Sequence, residues 1–166
     1  MRKQNGSANK LTAGYSKENP PLRDYAGLVG LFNAVLAAFL FFRKRSSLPR
    51  RVEFTDLLLL GLATQKISRV MTRSRITSPI RASFTKYEGS GGAGEVEEKP
   101  RGTGLRKAVG ELITCPYCLG TWIASGLIYG FVFNRRVTRA VASIFAVSTV
   151  ADFAQHGYAK VKELSE

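Results

Sequence analysis

The pattern of polar and apolar positions divides the chain into four apolar stretches joined by basic connections. Tyr25 to Phe42, YAGLVGLFNAVLAAFLFF, holds eighteen residues without a charge. As a helix it reaches about 27 Å, close to the thickness of a bilayer's hydrocarbon core. Arg43-Lys44-Arg45 and Arg50-Arg51 follow at once, as they do where a span ends. A second uncharged run, Leu112 to Phe133, is long enough to span and carries Trp122 among several tyrosines and phenylalanines. A third, Ala140 to Ala151, reaches bilayer length when Val137 to Phe153 is counted.

Phe54 to Met71, FTDLLLLGLATQKISRVM, is different, because its fully apolar centre covers only Leu57 to Ala63 before Lys66 and Arg69. A charge at the bilayer centre costs roughly 2.5–3.5 kcal/mol, but near a helix end both side chains can reach the headgroups. The segment reads as a short, tilted or partly buried helix with its basic end at a membrane face, or as a re-entrant helix. The predicted fold class is therefore all-α, an integral membrane helical bundle of four transmembrane helices, about 25–42, 54–71, 112–133 and 137–153.

A polar N-terminal tail, 1–24, precedes this membrane domain of residues 25–153, and a polar C-terminal tail, 154–166, follows it. Asn19-Pro20-Pro21 breaks any helix in the first tail. A cleavable signal has a shorter apolar region nearer its start, so the first span reads as a retained anchor. The Gly-rich, acidic segment 87–104, YEGSGGAGEVEEKPRGTG, is too polar to pack and predicts a mobile loop.

Composition alone, 45% hydrophobic and 22% charged over 166 residues, would suit an ordinary soluble domain, so the distribution matters more than the average. A net charge of +13 raises nucleic acid as a partner. The basic residues flank apolar runs, however, and no nucleic-acid-binding module is visible. The indicated partners are the lipid bilayer and its anionic lipid headgroups, with no nucleic acid. With the N-terminus in the cytoplasm, four spans place fifteen Lys and Arg inside against eight outside. Five of the eight crowd the first connection, and a re-entrant second helix would put the first and middle loops on one side. Small-residue pairs, Gly27/Gly30, Gly126/Gly130 and Ala142/Ala146, suit helix packing, within the chain, in a homo-oligomer or with another membrane protein.

Candidate chemistry centres on Cys115-Pro116-Tyr117-Cys118. The tetrapeptide is that of glutaredoxins, but those place it near the start of an α/β domain. Here only 48 residues follow Cys118, most of them in apolar helix. Three readings remain. The first is a zinc site: if the last two apolar segments form an antiparallel hairpin, Cys115 and Cys118 come near Asp152 and His156, which share a helical face. Its plain alternative is a solvent-facing His156 and an Asp152 paired with Lys160 or Arg106. The second is a membrane thiol-disulfide oxidoreductase with Cys115 as nucleophile and Cys118 as resolving thiol. Known membrane designs of that kind relay electrons through a second cysteine pair, which this chain would have to find on a partner. The third is packing, with Pro116 starting a helix and Gly120 allowing close approach. Enzyme signals are otherwise thin. There is one histidine and no phosphate-cradling loop, and Glu95, Glu97 and Glu98 lie where nothing holds them in catalytic geometry.

GLATQKISRVMTRSRITSPIRASF, Gly61 to Phe84, followed by GELITCPYCLGTW, Gly110 to Trp122, resembles a family of small bacterial integral membrane proteins catalogued as a domain of unknown function, with members in sporulating bacilli and actinobacteria. The signature falls on Arg69, Ile76, Thr77, Arg81, Phe84, Gly110, Glu111, Cys115, Cys118, Gly120 and Trp122, and the likeness covers about Phe54 to the end. The N-terminal tail and first span look like an addition to the compact form. The resemblance implies multi-pass residence in a bacterial cell membrane and a shared site at one face, with no established activity. At that face Arg81 would bind a lipid phosphate bidentately or be neutralised by Glu111 or Asp152.

Overall fold

The structure, a computed structural model, describes residues 21–43 and 52–165. The basic residues Lys44, Arg45, Arg50 and Arg51 and nearly all of the N-terminal tail, Asn19-Pro20 included, lie outside them.

Helix α2 (Phe54–Arg73) is the element on which the bundle assembles, packing against both α5 (Pro116–Phe133) and α6 (Arg135–Ser165). Leu60 and Ala63 of α2, Phe131 of α5 and Ala142 of α6 form the buried core, flanked by Leu59, Ile67, Leu127, Ile128 and Phe145. Leu60, Ala63 and Ile67 recur at the three- and four-residue spacing that places side chains on one helical face. On α6 the buried positions are Thr138, Ala142, Ala146 and Thr149. All are small, which lets the helix axes approach closely. The Thr149 hydroxyl donates to the Leu62 carbonyl at 3.0 Å.

Two ion pairs set the direction and register of α2 against α6. Asp56, 1% exposed, accepts from Arg135 at 2.7 Å and also from Arg139. Further along, Lys66 meets Asp152 at 2.6 Å. The two helices therefore run parallel in direct contact, and α5 packs antiparallel against both. Helix α1 (Leu22–Phe42) buries no residue and lies along α5. It is held by edge-on contact of Phe32 with Trp122 at 5.2 Å and stacking of Phe39 on Tyr129 at 4.3 Å.

Among the described residues, three helices are long and apolar enough to cross a membrane: α1, α5 and α6. Helix α2 is not, because Asp56, Lys66 and Arg69 interrupt it. Asp56 and Lys66 are paired with α6 and Arg69 with Glu95, while Lys66, Arg69 and Arg73 make its C-terminal part basic.

The chain is not all-α. After α2 come a 3₁₀ turn (Arg75–Thr77), a one-turn α3 (Ser78–Arg81), and an antiparallel hairpin of β1 (Thr85–Gly92) and β2 (Glu95–Pro100), where a loop was predicted. Its own composition is too polar to form a core, but its inward positions are spoken for. Val96 and Glu98, two apart on β2, point to the same side; Val96 is buried and the Glu98 side chain is 5% exposed. Gly92 and Gly94 take positive φ at the turn, a conformation that side-chain-bearing residues resist.

Two helix limits also differ from the hydropathy pattern. The uncharged run from Leu112 is divided between α4 (Leu105–Thr114) and α5. Pro116 lacks a backbone N–H and disfavours helical backbone at the residue before it, and Cys115 is extended accordingly. At the other end, α6 continues to Ser165 through the stretch read as a polar tail. Alanines, lysines, glutamine and leucine there are good helix formers.

Helix α4 seats directly on the hairpin. A Cβ on Gly110 would lie 2.7 Å from the Phe84 carbonyl oxygen and 3.0 Å from Pro100. Gly110→Ala is expected to lower stability by about 1–3 kcal/mol, as overpacking against fixed backbone does. A thermal unfolding midpoint of the purified protein unchanged from wild type would show that α4 does not pack this closely.

Candidate functional site

The signature residues of the chain meet at one end of the bundle, where α2 ends, α5 begins, and the hairpin and α4 form a cap. Its centre is Arg81, with a side chain only 2% exposed. Its Nε donates to Glu98 at 2.8 Å and its Nη2 to the other Glu98 oxygen at 3.1 Å, a bidentate pair. Nη1 donates to the Met71 carbonyl and the Thr77 hydroxyl, at 2.8 and 2.5 Å. Nη2 also reaches the Ser74 carbonyl at 3.0 Å and the Ser78 hydroxyl at 3.2 Å. Every donor of the guanidinium is used. Arg81 thus has nothing left for a lipid phosphate, and its partner is Glu98 rather than Glu111 or Asp152.

The Met71 and Ser74 carbonyls lie at the C-terminal end of α2, where helices leave acceptors unpaired. Arg81 therefore ties that helix end to the hairpin. Thr85 adds a hydrogen bond to Glu98 at 2.9 Å. Burial alone would raise the Glu98 carboxyl, but the hydrogen bonds from Arg81, Thr85 and Ser78 outweigh it and hold the group below its ordinary value of 4.5.

The remaining signature residues fall around this clamp. Arg69 donates to Glu95 at 2.5 Å, and Arg75 N–H to the Gly94 carbonyl at 3.0 Å, docking the hairpin turn against α2. Thr77 donates to the Val70 carbonyl at 2.6 Å. The Phe84 carbonyl accepts from Arg101 N–H at 2.9 Å beneath Gly110. Glu111 accepts from the Tyr25 hydroxyl of α1, with Lys107 at 3.9 Å. Trp122 receives Phe32 of α1.

Cys115 stands at the N-cap of α5, and its Sγ accepts the backbone N–H of Cys118 at 3.2 Å. Both thiols are free, Cys115 half-buried and Cys118 exposed. Cys118 opens into an apolar pocket of about 460 Å³ between α1, α4 and α5, shared with Phe32, Glu111 and Trp122. The proposed zinc set is not brought together: Asp152 is taken by Lys66, and His156 lies on the exposed continuation of α6. Among the described residues no three His, Cys, Asp or Glu side chains converge as a metal-binding group. Gly120 does not serve close helix approach. A Cβ there would first meet Ser68 at 3.9 Å, and Gly120 instead faces a cleft of about 810 Å³ between α2 and α5.

Sequence reasoning missed Glu98, the residue that decides what Arg81 does. Its signal was the alternation of Val96 and Glu98 after a glycine-rich turn, a weak hairpin pattern outweighed by polarity.

Residues 59–158, more than half of the chain, match a family described as protein of unknown function (DUF1360). A similar protein is the sporulation protein YjcA of Bacillus subtilis (strain 168), 35% identical over 75 residues that cover 43% of this chain and 64% of that relative. The chain thus spans 64% of the length of the curated relative it matches. No solved structure matches.

Breaking a buried pair by removing one partner costs about 3–5 kcal/mol, so Glu98→Gln and Arg81→Lys should each loosen the cap by that order. Because the Glu98 carboxyl is lowered in the fold, the pair's contribution is complete above pH 4.5 and is lost as the pH falls through the lower, folded value. Acid titration of stability should show this loss in the wild type, and Glu98→Gln should abolish it. An acid response identical in the two proteins would remove the clamp from that role. At the helix cap, Cys115→Ala should cost about 0.5–2 kcal/mol, whereas Cys115→Ser, which keeps an N-cap acceptor, should stay near wild type. Equal losses in both would show that the sulfur does more than cap.

Proposed function

The chain belongs to the DUF1360 family of proteins of unknown function, and from that premise we propose that it is a multi-pass protein of the bacterial cell membrane whose capped end faces the cytoplasm. It acts there as a structural or interaction component rather than as an enzyme. The observation that carries this reading is the inverted distribution of side chains. Phe41, Ile144 and Val147 are 84%, 66% and 68% exposed, whereas Asp56, Ser68 and Thr149 are buried. In water such an exterior is an association surface, but in lipid it is solvated.

In this reading α2 is the fourth span. Asp56 enters neutralised by Arg135 and Arg139, and Lys66 by Asp152. Paired charges facing a bundle interior are the form in which ionisable residues are tolerated in membranes. The cap end carries Arg73, Arg75, Lys86, Arg101 and Lys107, the side that the positive-inside rule assigns to the cytoplasm. The relative named as a sporulation protein makes sporulation the process in which a phenotype is first sought.

One observation favours a second reading. Cys115 and Cys118 stand together at the start of α5, with the Cys118 N–H donating to Cys115 Sγ at 3.2 Å and Cys118 exposed, which is how a nucleophile and its resolving thiol are paired. A thiol-disulfide oxidoreductase would use Cys115 as nucleophile on a partner protein's disulfide and Cys118 as resolving thiol, leaving the partner a dithiol and this chain a Cys115–Cys118 disulfide. Retained activity of the host process in Cys115→Ser would eliminate it.

The protein should remain with membranes after alkaline carbonate washing, and a membrane-impermeant maleimide should reach Cys118 only in lysed cells. Prior treatment with a zinc chelator should leave the labelling rate unchanged. Release by carbonate would overturn the membrane assignment, labelling of intact cells would invert the orientation, and faster labelling after chelation would restore a metal on the thiols.

A further inference from the structure

The cleft between α2 and α5 has the features of an occupied site. At its mouth stand Arg69 and Arg73, one helical turn apart and on one face, with Glu95 beside them. Glu95 engages Arg69 through Nε alone. Among the described residues, the Nη groups of Arg69 and the whole guanidinium of Arg73 have no hydrogen-bond or ion-pair partner. Two cations against one carboxylate leave the mouth positive.

Below the mouth the cleft is left open rather than filled. A Cβ on Gly61 would have nothing within 4 Å, one on Gly120 would meet its first neighbour only at 3.9 Å, and Ala124 completes the floor. The hydroxyls of Thr64 and Ser68 on its wall turn back to their own helix, donating to the Leu60 and Gln65 carbonyls at 2.7 and 3.0 Å. The wall therefore presents no unspent donor from these two residues. From Arg73 back to Gly61 the helix rises about 18 Å, the depth of roughly one bilayer leaflet with part of its headgroup layer.

We propose that this cleft binds one anionic phospholipid, its phosphate held by Arg69 and Arg73 and an acyl chain lying over Gly61, Gly120 and Ala124. The assignment rests on the membrane reading above. It places the lipid phosphate on guanidinium groups that are still available, in contrast to the fully committed Arg81. Guanidinium groups match phosphate geometry, and a basic pocket between helices at the cytoplasmic side is where anionic headgroups are recognised. The groove below the mouth argues for a chain-bearing phosphate over free inorganic phosphate.

The test is native mass spectrometry of the full chain in detergent, with added phosphatidylglycerol or phosphatidylcholine. The wild type should retain one phosphatidylglycerol about tenfold more tightly than phosphatidylcholine, because both offer the phosphate but the choline cation is repelled by the two arginines. R69Q/R73Q should lose that preference. The Arg69–Glu95 pair is exposed and contributes little to the fold, so the variant should remain folded by circular dichroism. Gly120→Leu, which keeps both arginines but fills the groove, should weaken retention of both lipids alike. Arg136→Gln, at the other end of the bundle, should behave as wild type.

Equal retention of the two lipids by the wild type, or an unchanged preference in R69Q/R73Q, would overturn the proposal. Displacement of the lipid by inorganic phosphate alone would reassign the mouth to a free anion. A change of oligomeric state in Gly120→Leu without a change in lipid retention would make the cleft a packing face between copies. Release from membranes by carbonate removes the underlying membrane reading, whereas stable insertion without lipid preference removes this site alone.

Discussion

Arg81 and Glu98 are taken out of water together, and that burial is affordable only because each remaining donor and acceptor finds a partner. A guanidinium this enclosed cannot give up its carboxylate without stranding a charge. The strand that supplies Glu98 is thereby fixed to the end of α2, and its neighbours inherit their positions. Fixing β2 places Pro100 and the Phe84 carbonyl under Gly110, which seats α4. The end of α4 in turn delivers Cys115 to the start of α5. The position of the CxxC thus descends from an ion pair seventeen residues apart in sequence.

The bundle obeys the complementary constraint. Many large apolar side chains face outward, and around a small apolar centre at Leu60 and Phe131 the helices are held by close approach of small residues, threonine hydroxyls and ion pairs. Asp56 with two arginines and Lys66 with Asp152 define how far α2 and α6 can slide past each other. A slip of one turn would part both pairs at once.

The long apolar runs were legible because periodicity hardly matters when every position is apolar: charge-free length alone marks α1 and α5. The core of α6 was legible for the same reason, but its continuation to Ser165 depends on helix propensity in a polar stretch, which hydropathy ignores. The break at Pro116 was visible in the residue itself. The hairpin was not, since its stability comes from Arg81, a partner outside it, and a segment's own composition cannot report that. The family signature contains Arg69, Arg81, Gly110 and Glu111 but does not say what each touches. Arg81 and Glu98 prove to be architecture, and Arg69 retains unspent donors. That difference is set by geometry and not by residue type.

The unbroken course of α6 has a mechanical consequence. A helix of 31 residues is about 46 Å long, and its first turn is gripped by Asp56 through Arg135 and Arg139. Residues 135 to 152 are held along α2 by that grip, by the buried Ala142, Ala146 and Thr149 and by the Lys66–Asp152 pair, so the last 13 residues, about 20 Å, project as the free arm. A tilt of about ten degrees at Asp152 would sweep the far tip through about 3 Å, so a small rearrangement of the Lys66–Asp152 contact is carried outward along the rest of the helix.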